Sequence, residues 1–282
     1  MSKHIVVAGC SFTANDESWS SNLKKYFDDG SYHNVALPGM GNYAISCLCI
    51  DKVQELIESS VSNKDMFVIV QWSGISRKSF IGESANALSV DFKKCKSKTR
   101  LSDIQSESRF LHDCGSRNDI NFWNDYKNKY WNDEFSFIET LENILRVQWF
   151  LKSNDIEFLM FTGWDDFTLA SGDAVHKNWI CRAGDGLGQW DDNRAYKNID
   201  NPLLKDVYPW SKNLWSMLDL DRFVFFNSDT VKYGGLLQWV QGNMSKKHWY
   251  ISKNDKHPSK MGQEMFFKTN IEPTVKEFIN RS

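Results

Sequence analysis

The feature that most constrains the fold is a set of five short apolar runs that alternate with segments of helical periodicity. The runs span residues 4–10, 33–37, 66–72, 156–162 and 222–227. Each has the length of a strand, and most are rich in β-branched or aromatic residues. Strands that alternate with helices form a parallel sheet with helices on both faces. The sequence therefore predicts an α/β fold, a three-layer α/β/α sandwich around a five-stranded parallel sheet.

The segments between the runs divide into helices and two insertions. Apolar residues recur at helical spacing in 17–28, 42–60, 134–151 and 260–279, and Asn42 is the expected N-cap of the second helix. Two polar segments, at about 76–133 and 163–220, are too long to be simple connections. No repeat or low-complexity linker divides the chain. We expect residues 1–282 to form one flavodoxin-like domain that carries both insertions.

Charge and hydropathy narrow the classes of partner. The chain has 34 Lys and Arg residues against 36 Asp and Glu, so no overall positive field attracts nucleic acid or anionic lipid. No apolar run approaches the roughly 18 residues of a membrane span, and the apolar stretch before Cys10 is too short for a secretory signal. The six cysteines form no CxxC pair, which favours reduced thiols. We predict a cytoplasmic protein with no nucleic-acid or membrane partner.

Two polar residues at opposite ends of the chain could act as a nucleophile and its base. Ser11 follows the first predicted strand directly, although a serine there could equally cap a helix. His257 lies in a proline-containing turn before the last helix, with Asp255 two residues ahead of it. A histidine beside a carboxylate is suited to take a proton from a serine hydroxyl.

Two further turns follow the second and third strands. Gly39 belongs to a glycine-rich turn that could direct a backbone N–H at a developing oxyanion, or could simply connect a strand to a helix. The third strand ends at Trp72 and Ser73, with Arg77 close behind. In a doubly wound sheet the carboxyl ends of the strands form the ligand-binding edge. We therefore expect these turns to meet Ser11 and His257 there.

The order of these segments resembles the SGNH hydrolases, the GDSL-like esterases and lipases. Three blocks carry the resemblance: Gly9-Cys10-Ser11-Phe12-Thr13, Asn34-x-Ala36-x-x-Gly39 and Asp255-Lys256-His257-Pro258-Ser259. It covers the five-strand scaffold and not the insertions, and the variant blocks are similar to a phage-encoded or uncharacterised branch.

The resemblance implies roles for individual residues. Ser11 would be the nucleophile and His257 the base, and the N–H groups of Ser11 and Gly39 would bind the oxyanion. The family's third block supplies an Asn that is missing here, so Ser73 or Gln71 would donate instead. Family spacing before the histidine points to Asn254. Either Asp255 orients the imidazole, or a Ser–His dyad operates.

The function that follows is a serine esterase acting on an O-acyl ester, most plausibly an O-acetyl group on a carbohydrate, through an acyl-enzyme. Twelve tryptophans and Arg77 favour a polar, glycan-like or anionic small-molecule ester, with Asn42, Trp72 and Arg77 as substrate contacts. An O-acyltransferase and a catalytically decayed binding or structural protein are the alternatives. The histidines show no metal-ligand spacing, so we expect no metal and no cofactor.

Overall fold

Five parallel strands form the main sheet. The computed structural model describes residues 3–75, 77, 79–82, 109–112, 132–164, 167, 203–226, 232–252, 255 and 257–281. Numbered along the chain, the sheet contains β1 (His4–Ala8), β2 (Tyr32–Asn34), β3 (Met66–Trp72), β6 (Glu157–Thr162) and β7 (Phe223–Val224), in the order β2-β1-β3-β6-β7. The predicted five-stranded parallel sheet is confirmed, and the strand order reverses beside β1, as in flavodoxin-like folds.

The sheet is buried on both faces because successive side chains of each strand point to opposite sides. In β1, Ile5 and Val7 face one helical layer, whereas Val6 and Ala8 face the other. β3 pairs with both β1 and β6, and all seven of its residues are buried. β3 is therefore the centre of the core.

Helices cover both faces of the sheet. On one side lie α2 (Asn42–Glu58), α3 (Asp133–Ser153), α4 (Leu204–Val207) and α5 (Ser211–Ser216). On the other lie α6 (Leu236–Asn243), α7 (Lys260–Phe266), a π-helical stretch (Phe267–Ile271) and α8 (Glu272–Asn280). The one-turn α1 (Ser11–Ala14) begins at the end of β1, and short 3₁₀ helices span Asn63–Asp65 and Lys246–His248. The three-layer α/β/α sandwich is thus present.

Two local predictions need correction. The predicted helix over 17–28 is instead a 3₁₀ helix, Trp19–Lys25, in which Trp19 and Leu23 are fully buried. The hydroxyl of Ser20 donates to the Thr13 carbonyl, and such side-chain bonds compete with regular α-helix. The N-cap of α2 is Gly41 and not Asn42. Asn42 is the first residue of the helix, and its side-chain oxygen accepts from the Ser73 N–H.

Most of both predicted insertions lies outside the described residues. Within the first, β4 (Ser79–Gly82) and β5 (Arg109–His112) pair in antiparallel fashion as a separate two-stranded sheet. Within the second, α4 and α5 pack against the core that α2 and α3 share. The single-domain organisation of residues 1–282 stays a prediction.

A stacked histidine pair connects β1 and β2. The rings of His4 and His33 are 3° from parallel, and Nδ1 of His4 lies 3.2 Å from Nε2 of His33. Burial, with the nearby positive charge of Lys52, lowers the pKa of His33 to about 4, and burial also lowers the pKa of His4. The folded protein therefore keeps His33 neutral at pH values at which the unfolded chain binds a proton.

We expect mild acid to destabilise the fold through this pair. The stabilisation is fully present above the unfolded pKa of about 6.5 and is lost as the pH falls towards 4. Because His33 is only partly buried, we discount the loss to about 1 to 2 kcal/mol of unfolding free energy. Urea unfolding at pH 7 and pH 4.5 measures it. His33→Gln should lose clearly less stability over the same interval, and an equal loss would contradict the assignment.

Candidate active site

The turn of residues 9–13 begins where β1 ends and carries Ser11, the predicted nucleophile; this segment is called the nucleophile turn. Ser11 is the first residue of α1, and its side chain is mostly buried. Gly9 permits the tight path of this turn, since a Cβ there would lie 2.5 Å from Thr13 Oγ1 and 3.1 Å from the Gln71 carbonyl oxygen. The missing side chain lets the turn lie directly against the end of β3. Ser11 is thereby held at the carboxyl edge of the sheet.

Ser11, His257 and Asp255 form a hydrogen-bonded chain across the two ends of the polypeptide. Oγ of Ser11 lies 2.8 Å from Nε2 of His257. Nδ1 of the same ring lies 2.6 Å from Oδ1 of Asp255. A carboxylate only accepts hydrogen bonds, so Nδ1 donates to Asp255. In the neutral ring Nε2 is then the acceptor, and it can take the Ser11 proton.

The loop that carries His257 is anchored by its backbone. Ile251 N–H donates to the His257 carbonyl at 2.9 Å, and Pro258 forms a bridge with Tyr250. Ser259 then begins the next helix, because its hydroxyl accepts from the Gly262 N–H at 3.1 Å. The imidazole also packs edge-on against Phe12, with ring centroids 5.3 Å apart. These contacts hold the ring over Ser11.

Asp255 is bound by two groups of the same histidine. Its Oδ1 accepts from Nδ1 of His257 and, at 3.0 Å, from the His257 backbone N–H. Partial burial favours the neutral acid, but these two hydrogen bonds and the nearby imidazole outweigh it and hold the pKa of Asp255 below its ordinary value. Asp255 is therefore a carboxylate at neutral pH. Asn254 lies outside the described residues.

The glycine turn after β2 lies beside the nucleophile turn. Backbone bonds from Val35 N–H to the Val7 carbonyl and from Leu37 N–H to the Gly9 carbonyl continue the pairing with β1 beyond its last residue. Gly39 then adopts a φ of 82°, in the left-handed region that glycine favours. Within the described residues its N–H makes no hydrogen bond to a backbone or side-chain acceptor.

Asn42 fixes the backbone of Ser73, which is the first residue after β3 and a predicted oxyanion donor. The amide of Asn42 accepts from the Ser73 N–H at 2.8 Å and donates to the Ser73 carbonyl at 3.1 Å, so it holds this residue at two points. Ser73 is 2% exposed, and its hydroxyl has no hydrogen-bond partner among the described residues. A buried hydroxyl without a partner is uncommon.

The three predicted substrate contacts, Asn42, Trp72 and Arg77, have different surroundings. Trp72 is fully buried in the core beneath α2 and α3, so the prediction that it contacts substrate is wrong. The side chains of a strand alternate, and Trp72 falls on the face of β3 that α2 and α3 cover. Asn42 is almost fully buried and serves Ser73 through both ends of its amide. Arg77 is half-buried, with its guanidinium 4.9 Å from the Trp164 ring centroid.

Gln71 hydrogen-bonds residues of the nucleophile turn, a role that the sequence did not indicate. It is fully buried, and its Oε1 accepts from Thr13 Oγ1 at 3.0 Å and from Cys10 Sγ at 3.4 Å. Its Nε2 donates to the Trp72 carbonyl and so is not directed at an oxyanion. Gln71 therefore braces the nucleophile turn from the end of β3. The only sequence signal was a polar residue at the end of an otherwise apolar strand.

An aromatic side chain missed by the sequence analysis lies next to these groups. Trp164 follows β6 by two residues, and its ring packs edge-on against Phe12 with centroids 5.2 Å apart. Gly163 makes room for this arrangement, since a Cβ there would lie 2.6 Å from Gln71 Nε2. The position of Trp164 at the carboxyl end of a strand was the signal that could have identified it.

Across the described ranges, no three His, Cys, Asp or Glu side chains come together as a metal site requires. In the same ranges no helix combines the length and the apolar character needed to cross a bilayer.

Comparison with known proteins gives matches at the level of backbone structure. No protein-family model and no curated protein matches the chain. Solved structures that resemble it include a protein of Bacteroides fragilis provisionally described as an acylhydrolase, at 13% identity, and a GDSL-like lipase of Bacteroides thetaiotaomicron, at 12%. Each alignment covers 98% of this chain and 88% of the other, with a TM-score of 0.39. The likeness concerns the course of the backbone, and the two names describe those proteins.

Proposed function

We propose that this chain is a serine ester hydrolase of the SGNH type that cleaves an O-acyl ester through an acyl-enzyme on Ser11. The single observation that carries the proposal is the hydrogen-bonded chain from Ser11 Oγ through the His257 ring to Asp255, with separations of 2.8 and 2.6 Å. Both distances lie within the reach that proton transfer between a nucleophile and its base requires. An acetyl ester on a sugar hydroxyl is the substrate we favour.

The first half of the reaction forms the acyl-enzyme. The Ser11 oxygen attacks the ester carbonyl while its proton moves to Nε2 of His257, and the imidazolium that results is stabilised by the Asp255 carboxylate. When the tetrahedral intermediate collapses, the bond to the alcohol oxygen breaks. His257 returns its proton to that oxygen, and the alcohol leaves.

The second half restores the enzyme. A water molecule attacks the acyl carbon, His257 accepts the water proton, and the bond to Ser11 breaks as His257 returns the proton to the serine oxygen. The carboxylic acid leaves, and Ser11 and His257 regain their starting protonation states.

Three donors are proposed for the oxyanion of the tetrahedral intermediate. The N–H of Gly39 lies in the turn held against β1, and the N–H of Ser11 is at the first position of α1. Ser73 supplies a buried hydroxyl with no partner among the described residues, held at its backbone by Asn42. Donors fixed in advance stabilise developing charge without reorganisation, and each is worth about 10²–10³ in rate.

Covalent labelling by a fluorophosphonate probe tests the proposal. We expect intact-mass spectrometry to show one adduct on the wild-type chain, because the probe reacts with serines activated by a base. Ser11→Ala should remove the adduct. Ser46→Ala, which changes a buried serine of α2 bonded to Asn143, is the matched control and should label like wild type.

Release of acetate from p-nitrophenyl acetate and from peracetylated sugars would accompany labelling. If the folded wild-type protein takes up no probe, the hydrolase proposal fails and a binding protein with this fold becomes the better explanation. A label that survives Ser11→Ala would assign the nucleophile to another residue.

A further inference from the structure

Arg77 carries a charged group whose hydrogen bonds the described part of the chain does not complete. Its guanidinium Nη1 is buried, and no acceptor lies within hydrogen-bond distance. Nor does Arg77 form an ion pair with any described carboxylate. A buried donor on a charged group costs free energy unless a partner satisfies it. An unpartnered group of this kind therefore calls for an explanation.

The guanidinium is nonetheless held in place. It lies 4.9 Å from the Trp164 ring centroid, a distance at which a cation is attracted to an aromatic face. The backbone N–H of Arg77 donates to the Gly74 carbonyl at 3.0 Å in the turn that follows Ser73. The ring contact and the turn hold Arg77 in place, while Nη1 has no hydrogen-bond partner among the described residues.

Arg77 is connected to the nucleophile through a short series of aromatic contacts. The His257 ring contacts Phe12, Phe12 contacts Trp164, and Trp164 carries the guanidinium, with about 5 Å between successive centres. Arg77 is thus joined to the Ser11–His257 pair by packed side chains.

Arg77 also borders a small recess of about 10 Å³, which has room for one water-sized group. The other lining residues are Asn42, Tyr43, Ile75, Glu139, Thr140 and Asn143. Glu139 is the one acidic side chain of this wall, yet no oxygen of it accepts from Arg77 Nη1. The recess is large enough for one oxygen-sized group beside Arg77.

We propose that the ester substrate carries a carboxylate, which Arg77 binds on its Trp164-stacked guanidinium at the mouth of this recess. The inference rests on the proposed ester hydrolysis and names the substrate class. A carboxylate matches the planar fork of arginine, whereas a lysine ammonium would lack both the fork and the stacking.

The specificity for anionic over neutral esters tests the proposal. The probes are 4-acetoxybenzoate and methyl 4-acetoxybenzoate, which differ in the charge at one end. For each variant we would measure the ratio of kcat/KM for the anionic ester to kcat/KM for the neutral one. This comparison cancels the difference in intrinsic reactivity between the two esters. Arg77→Gln should lower the ratio about 10- to 100-fold, and Arg77→Lys should lower it less.

Arg146→Gln is the matched control. Arg146 also stacks on an aromatic ring, that of Tyr43 at 5.4 Å, but its guanidinium already donates to Ser46. We expect its ratio to stay within about twofold of wild type, because Arg146 is exposed and solvent and salt screen exposed charges. An equal fall in both variants would show a general charge effect and overturn the assignment to Arg77.

A binding measurement separates this proposal from the proposed function. Calorimetric titration of Ser11→Ala with 4-acetoxybenzoate requires no turnover, and adding Arg77→Gln should weaken binding at least tenfold. Hydrolysis of both esters with an unchanged ratio in Arg77→Gln would overturn the carboxylate site and leave the esterase standing. Binding that depends on Arg77, without hydrolysis of either ester by wild type, would support the site and overturn the esterase.

Discussion

Replacing His257 by alanine is expected to lower kcat/KM for ester hydrolysis by about 10⁴- to 10⁶-fold. The imidazole is the one base in contact with Ser11 Oγ within the described part of the chain, at 2.8 Å. Without it the serine keeps its proton, and at neutral pH a serine hydroxyl is a weak nucleophile. Initial rates with p-nitrophenyl acetate, together with probe labelling, measure the effect.

Two comparisons make this result specific. The double variant Ser11→Ala/His257→Ala should be no slower than either single variant, because groups that act as one unit are not additive. His248→Ala is the matched control, since the described hydrogen bonds of His248 use only its backbone. A His257→Ala protein that remains folded and keeps more than about a tenth of wild-type activity would remove His257 from the proton transfer.

Replacing Asp255 by alanine should give the second largest loss, about 10²- to 10⁴-fold in kcat/KM. The change removes the acceptor that orients Nδ1 and the charge that stabilises the imidazolium. The side chain of Asp255 is 45% exposed, so water can replace part of the hydrogen bonding, and we expect a smaller effect than for His257. A small loss would indicate a Ser–His dyad.

The paired substitution Asp255→Asn separates orientation from charge. Both bonds from His257 converge on Oδ1, so an asparagine carbonyl can accept them in the same geometry. We therefore expect Asp255→Asn to be at least several-fold more active than Asp255→Ala. Asn254→Ala, at the position that family spacing indicates, should stay within about threefold of wild type. A larger loss of activity in Asn254→Ala than in Asp255→Ala would show that Asn254, and not Asp255, orients the imidazole. Steady-state kinetics on all three variants decides between them.

Several features of the site could be predicted because they depend on local order along the chain. Ser11, Gly39 and Ser73 each follow a strand, and parallel strands place their carboxyl ends on one edge. His257 could be included because its turn directly precedes the helix predicted at 260–279, which was expected to pack on the same sheet. What local order does not contain is the direction of each side chain at a strand end, and Trp72 was misplaced for this reason.

The sequence by itself determined the architecture. Continuous apolar runs such as Ile5 to Ala8 and Met66 to Val70 specify strands buried on both sides, and the helical spacing between runs specifies the covering layers. These patterns are periodic and local, so they can be read without knowing which segments meet. A change of one residue in register would turn every buried side chain to the opposite face.

Only the tertiary structure decided which groups touch. Ser11 and His257 are 246 residues apart, and their contact depends on how the last loop packs over the first turn. Contacts between separate segments decided three further points. Asp255 bonds the imidazole, Asn42 holds the backbone of Ser73, and the Arg77 guanidinium lies over the Trp164 ring. Hydrogen bonds and ring stacking act over a few ångströms with strict angles, so sequence spacing alone cannot specify them.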